Sequence, residues 1–180
     1  FTDPRYTDDR DTMELDHESV FRAEGMPDGS WTIHRATFDT TRPNGLLISP
    51  DQRTLYVAQS DYGSDRKREL RAYPINEDGS LGEYEVLHDF GPHRGIDGMV
   101  LDVEGTIVAC AGWQQSGPGP MIYVFAPDGR VLQTHPVPVD RPTNCSWGGP
   151  DLSTLYVTTG SGHLLRAQTQ HRGRLWYPEI

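Results

Sequence analysis

The sequence predicts an all-β chain of the β-propeller class, on three observations. Three segments are versions of one another, residues 43–60 (PNGLLISPDQRTLYVAQS), 96–112 (IDGMVLDVEGTIVACAG) and 143–160 (TNCSWGGPDLSTLYVTTG). Their starts lie about 50 residues apart, the period of a stacked, repeated sheet. Strand-like runs joined by tight turns recur along nearly the whole chain, and helical periodicity is almost absent. Finally, the runs group in fours, the pattern of a propeller blade rather than of a sandwich.

Taken in order, SVFRAEG from Ser19, a turn at MPDGS and WTIHRATF read as a hairpin. LLIS, TLYVAQS, ELRAYPI, a turn at NEDGS and EYEVLHDF then supply four strands between Gly45 and Phe90. The next unit is GMVLD, a turn at VEG, TIVACAG, MIYVFAP, a turn at DGR, and VLQTHPVP. The last is NCSWGG, TLYVTTG and HLLRAQT, followed by the tail GRLWYPEI. Runs such as TLYVAQ and TIVACA are apolar at consecutive positions, as expected of sheets covered on both faces. Ser116-Gly117-Pro118-Gly119-Pro120 reads as a flexible insertion, with Trp113 at its start shaping a pocket mouth and contacting substrate. This accounting gives about three and a half blades, against the four to eight of a closed propeller. Residues 1–180 are therefore expected to be the C-terminal part of a single propeller domain, closed by N-terminal blades outside this chain. Alone, such a part would leave an apolar wall uncovered. The alternative is a four-bladed propeller with one degenerate blade.

A formal charge of −10, from 26 acidic and 16 basic residues, argues against nucleic acid or an anionic membrane, which both need a basic footprint. A small neutral or cationic ligand, or a metal ion, fits better. No apolar run approaches a membrane span, so the chain reads as soluble. Its compartment stays open, because any signal peptide would precede residue 1. Cys110 and Cys145 lie in apolar strand-like runs without a CxxC or Cys/His cluster and are expected to be buried free thiols.

In a propeller, equivalent positions of the repeat face one axis, so Asn44, Asp97 and Asn144 at the head of each innermost strand would converge on one site. Asn-Gly and Asp-Gly are also ordinary turn dipeptides, and it is their equivalence within a repeat that favours function. Glu14 stands among Asp8, Asp9, Asp11 and Asp16, in a loop that is either a solvated face or a cover over substrate. His93-Arg94 either brings a cation to an anionic or hydroxylated substrate or is an exposed loop pair. The remaining histidines show no HExxH spacing and read as surface or strand residues. No GxSxG, phosphate-binding loop or GxGxxG occurs, and Asn76-Glu77-Asp78-Gly79 is a hairpin turn rather than a calcium loop.

At Arg42-Pro43-Asn44-Gly45-Leu46, Ile96-Asp97-Gly98-Met99 and Pro142-Thr143-Asn144-Cys145, with the turns that follow them, the chain resembles the gluconolactonase/regucalcin (senescence marker protein-like) family. The opening FTDPRY and closing GRLWYP share the likeness. The resemblance implies a six-bladed propeller that hydrolyses sugar lactones with one divalent metal on its axis. It places a metal-binding Glu and Asn upstream of residue 1, maps metal ligands onto Asn44 and Asp97, and makes Asp97 the catalytic acid/base. It maps a substrate contact onto Glu14; Asn144, where regucalcin-like members carry Ser, is left to substrate or water. Carboxylate and amide oxygens suit a hard cation, Ca²⁺ first, with Mg²⁺, Mn²⁺ or Zn²⁺ as alternatives. The expected partner is a small lactone. Two other readings stay open: a non-catalytic calcium-binding or protein-interaction propeller, and an aryl-ester or phosphotriester hydrolase.

Overall fold

The structure, a computed structural model, describes residues 1–7, 9–63 and 67–174. Among these residues there are thirteen strands and no helix. They fall into two units, Phe1–Pro92 and His93–Ile180.

In the first unit, β1 (Phe21–Gly25) and β2 (Trp31–Arg35) form the expected hairpin. Its turn closes by Met26 N–H donating to the Ser30 carbonyl at 2.8 Å, with Gly29 at φ 84°, a conformation glycine adopts without steric cost. Trp31, Ile33 and Phe38 stay exposed. β3 (Pro43–Ile48), β4 (Thr54–Ser60), β5 (Arg68–Pro74) and β6 (Glu85–Asp89) make one antiparallel meander in chain order, as the four apolar runs predict. Its core joins Val20, Leu55, Val57 and Tyr73, with Leu46, Ile75 and Tyr84 packed against them. Burial pushes the Tyr73 phenol up, and its hydroxyl donates to Asp39 at 2.9 Å.

In the second unit, β7 (Ile96–Leu101), β8 (Ile107–Trp113), β9 (Ser116–Phe125) and β10 (Val131–Pro136) form a second four-stranded meander. β11 (Pro142–Gly148), β12 (Thr154–Thr159) and β13 (Leu164–Gln168) form a three-stranded one. The two sheets share a core of Val108, Cys110, Ile122 and Val124 against Cys145, Leu155 and Val157. Both cysteines are buried free thiols, as expected, and the contact with Cys145 together with burial pushes the Cys110 thiol up.

The expectation for residues 116–120 needs correction. Residues 116–120 are not a flexible insertion; they begin β9, with Trp113 paired to Ser116 across a bulge. Gly112, at φ 76°, makes this possible, because a Cβ there would lie 2.1 Å from the Gly119 carbonyl oxygen. The glycines let two backbones touch, and the ladder continues through a run whose composition reads as a loop. The end of the tail, residues 175–180 with most of the GRLWYP motif, lies outside the described residues.

The turns after the first strand of each sheet are built alike. Asp51 and Asp151 each accept from a serine hydroxyl at 2.6 Å and from a backbone N–H. Asp102 accepts the N–H groups of Glu104 and Thr106, and its second oxygen bonds His171 Nδ1 at 2.8 Å. That bond, with Val103 N–H donating to the Arg172 carbonyl at 2.8 Å, clips the segment after β13 onto the β7–β8 turn. His171 is thus a partner of a buried carboxylate rather than a plain surface residue.

Candidate active site

The first strand of each full sheet is irregular at its head. Register shifts fall between Pro43 and Leu46, between Ile96 and Met99, and between Pro142 and Asn144. A bulge re-aims the side chain it carries, and here the bulges fall on or beside Asn44, Asp97 and Asn144. Each head is closed by the same bond. The carbonyls of Arg42, Arg94 and Arg141 accept the N–H groups of Ser60, Gly112 and Gly160 at 3.2, 3.0 and 2.7 Å.

In the first unit, Asn44 is half-buried on β3. The chain before it is held by Gln59, whose side-chain oxygen accepts from Thr41 N–H at 3.1 Å and whose amide nitrogen meets the Thr41 hydroxyl at 2.7 Å. Glu14 is exposed. The anchored acid of that segment is instead Glu18, which is buried, accepting from Arg5 N–H at 2.6 Å and from Arg10 Nη2 at 2.5 Å.

In the second unit, Asn144 lies against Gly98, the residue after Asp97. A Cβ on Gly98 would lie 2.3 Å from Asn144 Oδ1 and 2.8 Å from the Thr143 carbonyl oxygen, so the Asn144 carboxamide fills the space that a side chain beside Asp97 would need. Asn144 Oδ1 also accepts the Cys145 N–H at 2.8 Å. Asp97 keeps 24 % of its side chain exposed, and Arg94 Nη2 donates to its Oδ2 at 2.5 Å. Arg94 itself is buried, which corrects the exposed-pair reading of His93-Arg94; His93 alone is exposed, with its ring against Gly117 and Nδ1 3.1 Å from the Ser116 hydroxyl. Trp113 ends β8 half-buried, and its indole N–H has no hydrogen-bond partner among the described residues. A cavity of about 510 Å³ opens elsewhere in this unit, lined by His135, Trp147, Leu165 and His171 among others, and no predicted site residue borders it.

Among the described residues no group of three His, Cys, Asp or Glu side chains gathers as a metal cage. Asn44 in the first unit and Asp97 in the second each offer a hard oxygen of the kind that Ca²⁺ or Mg²⁺ takes. Neither by itself supplies the roughly six to eight oxygens that Ca²⁺ collects.

Antiparallel meander sheets whose first strands carry a bulged, polar head define a protein of the β-propeller class. Comparison with known proteins narrows the class to a family. Residues 1–161 match the SMP-30/gluconolactonase/LRE-like region, and the chain belongs to that family. It is 33% identical to a gluconolactonase of Zymomonas mobilis over an alignment covering 96% of this chain and 48% of that protein. Regucalcin of Xenopus laevis is 34% identical over 82% of this chain and 46% of its own length. A solved gluconolactonase from Xanthomonas campestris superposes with a TM-score of 0.65 at 32% identity, covering 85% of this chain and 45% of that one. The chain spans about half the length of the curated relatives it matches.

Proposed function

We propose that the full-length protein hydrolyses a sugar lactone, with Asp97 as acid/base and with Asn44 and Asp97 as part of a divalent-metal site. The observation that carries the reading is Asp97 itself, a partly exposed carboxylate on a bulged strand head, gripped by a buried guanidinium and followed by Gly98, against which Asn144 lies. The names of the relatives, gluconolactonase among them, supply the substrate class.

When a cation is bound, the chemistry it supplies is polarisation of the lactone carbonyl and stabilisation of the charge that grows on its oxygen. Ca²⁺ is first choice on donor chemistry. The chain's own residues do the rest. Asp97 takes a proton from the attacking water as the new C–O bond forms. It returns that proton to the ring oxygen as the ring C–O bond breaks, giving an open-chain hydroxy acid that ionises and releases a proton to solution. Because Asn144 Oδ1 is bonded to the Cys145 N–H, its amide N–H groups are the ones offered to a substrate hydroxyl. The remaining metal oxygens and the rest of the pocket are assigned to N-terminal blades beyond this chain, so the 180-residue piece alone is expected to turn over little or no lactone.

The test is hydrolysis of glucono-1,5-lactone by the full-length protein, followed as proton release after chelation and again after adding back Ca²⁺, Mg²⁺, Mn²⁺ or Zn²⁺. Turnover that vanishes with chelator and returns with one ion supports the reading and names the metal. A folded protein with no turnover under any ion moves the assignment to another ester or to a binding module.

A further inference from the structure

Arg94 touches three strands at once. Its Nη1 donates to the Gly112 carbonyl at 3.0 Å and to the Pro142 carbonyl at 3.2 Å, while Nη2 donates to Asp97 Oδ2 at 2.5 Å. The Arg94 carbonyl in turn accepts the Gly112 N–H at 3.0 Å. Gly112 immediately precedes Trp113 at the end of β8, Pro142 opens β11 two residues before Asn144, and Asp97 heads β7. One planar group is therefore bonded to the three strands that carry every candidate residue of the second unit.

We infer that Arg94 is a positioning residue, whose guanidinium fork sets the Asp97 carboxylate in register with Trp113 and Asn144. A guanidinium has five N–H donors in fixed directions and no acceptor, and with 8 % of the side chain exposed it must direct them at protein oxygens. Two of those oxygens are strand carbonyls, held by the sheets and unable to follow a side chain. The fork is thus anchored on the backbone, and it is the carboxylate that is oriented. Asp97 Oδ2 is assigned to this anchoring, which divides the work of the two carboxylate oxygens when one side chain must both bind a cation and move a proton. The Cβ-free Gly98 completes the arrangement, because the neighbouring Asn144 can then lie against the same stretch of backbone.

The inference rests on the lactonase reading but can fail separately from it. In the full-length protein, Arg94→Lys keeps the positive charge and loses the fork, so any change it causes reports geometry rather than net charge. Lactone turnover, split into kcat and KM, is measured beside Ca²⁺ affinity by titration calorimetry, with circular dichroism as the check on folding. The expected result is a kcat lowered about tenfold or more with KM little changed, and Ca²⁺ affinity weakened about fivefold. A folded Arg94→Lys within about twofold of wild type in both kcat and Ca²⁺ affinity overturns the inference. If Arg94→Lys does not fold, Arg94→Ala with added guanidinium ion decides: recovery of kcat supports positioning, and no recovery assigns Arg94 to stability alone and overturns it. Should the wild type hydrolyse no lactone, the lactonase reading fails and the ratio of Ca²⁺ affinities alone judges Arg94. A wild type that neither binds Ca²⁺ nor turns over lactone overturns both.

Discussion

At the head of β7 the arginine before the bulge turns inward; at the head of β11 it does not. Arg94 is 8 % exposed and lies 2.5 Å from Asp97, whereas Arg141 is 50 % exposed and lies 3.6 Å from its neighbour Asp140. Both give their carbonyl to the same N–H position of the next strand, so the backbone scaffold repeats while the side chains diverge. A pair in water contributes about 0–1 kcal/mol and tolerates many geometries. A desolvated guanidinium tolerates few, because every unmatched N–H has a cost. The difference shows how two copies of one repeat diverge: the bulge is common to both heads, and of their two arginines only Arg94 is buried, while Arg42 at the head of β3 is 13 % exposed beside Asp61.

The largest effect expected of this asymmetry is at Asp97. Asp97→Asn in the full-length protein should lower kcat by about 10²–10⁴ while the protein still folds, with a lowered melting temperature because the buried Arg94 loses its charged partner, read by proton release and circular dichroism. An active Asp97→Asn enzyme would remove β7 from its special place. Next comes Gly98→Ala, whose Cβ would fall 2.8 Å from the Thr143 backbone oxygen as well as onto Asn144. Because backbone cannot yield as a side-chain tip does, a loss of about 1–3 kcal/mol is expected in urea unfolding. Arg141→Ala should stay within about 0.5 kcal/mol of wild type and leave Ca²⁺ affinity alone. A weakening like that expected for Arg94→Lys would break the comparison at its root.

The smallest effect concerns the repeated turns. The Ser153 hydroxyl and N–H hold the Asp151 carboxyl below the ordinary aspartate value of 3.8, and Ser49 with the Arg53 N–H does the same for Asp51. A depressed folded value means stabilisation that is present above the ordinary value and lost as pH falls through the lowered one. The acid limb of a melting-temperature profile should therefore be slightly flatter in Asp151→Asn than in wild type, and an unchanged limb would show that the turn carries no linkage.

The sheets were legible in the sequence because their signals are local. NEDGS, DGR and MPDGS mark turns, and consecutive apolar residues mark strands that are covered on both faces. The strand heads were legible through repetition, since Asn44, Asp97 and Asn144 recur at one place in the unit. What could not be read depends on distant partners. Nothing in the dipeptide His93-Arg94 tells that the arginine is buried, because its acceptors lie 18 and 48 residues along the chain. Among the acids of residues 8–18, composition cannot choose Glu18 over Glu14 as the anchored one, since the choice is made by Arg5 and Arg10. The Gly-Pro run beginning at Ser116 read as a loop because its ladder depends on Gly112 meeting Gly119.

The clip between Asp102 and His171 has a bearing on the order of folding. It joins residues 69 apart, whereas the hairpins on either side of it close over short, turn-primed spans. Loop closure over such a distance is entropically dear, so the clip is expected to form after β11–β13 has assembled and to be absent from the rate-limiting step. Contacts of that kind act on the escape rate from the native state rather than on the approach to it. In stopped-flow measurements His171→Ala is therefore expected to speed unfolding and leave refolding unchanged, making this hydrogen bond a lock on the lifetime of the folded chain; slower refolding would place it in the nucleus instead.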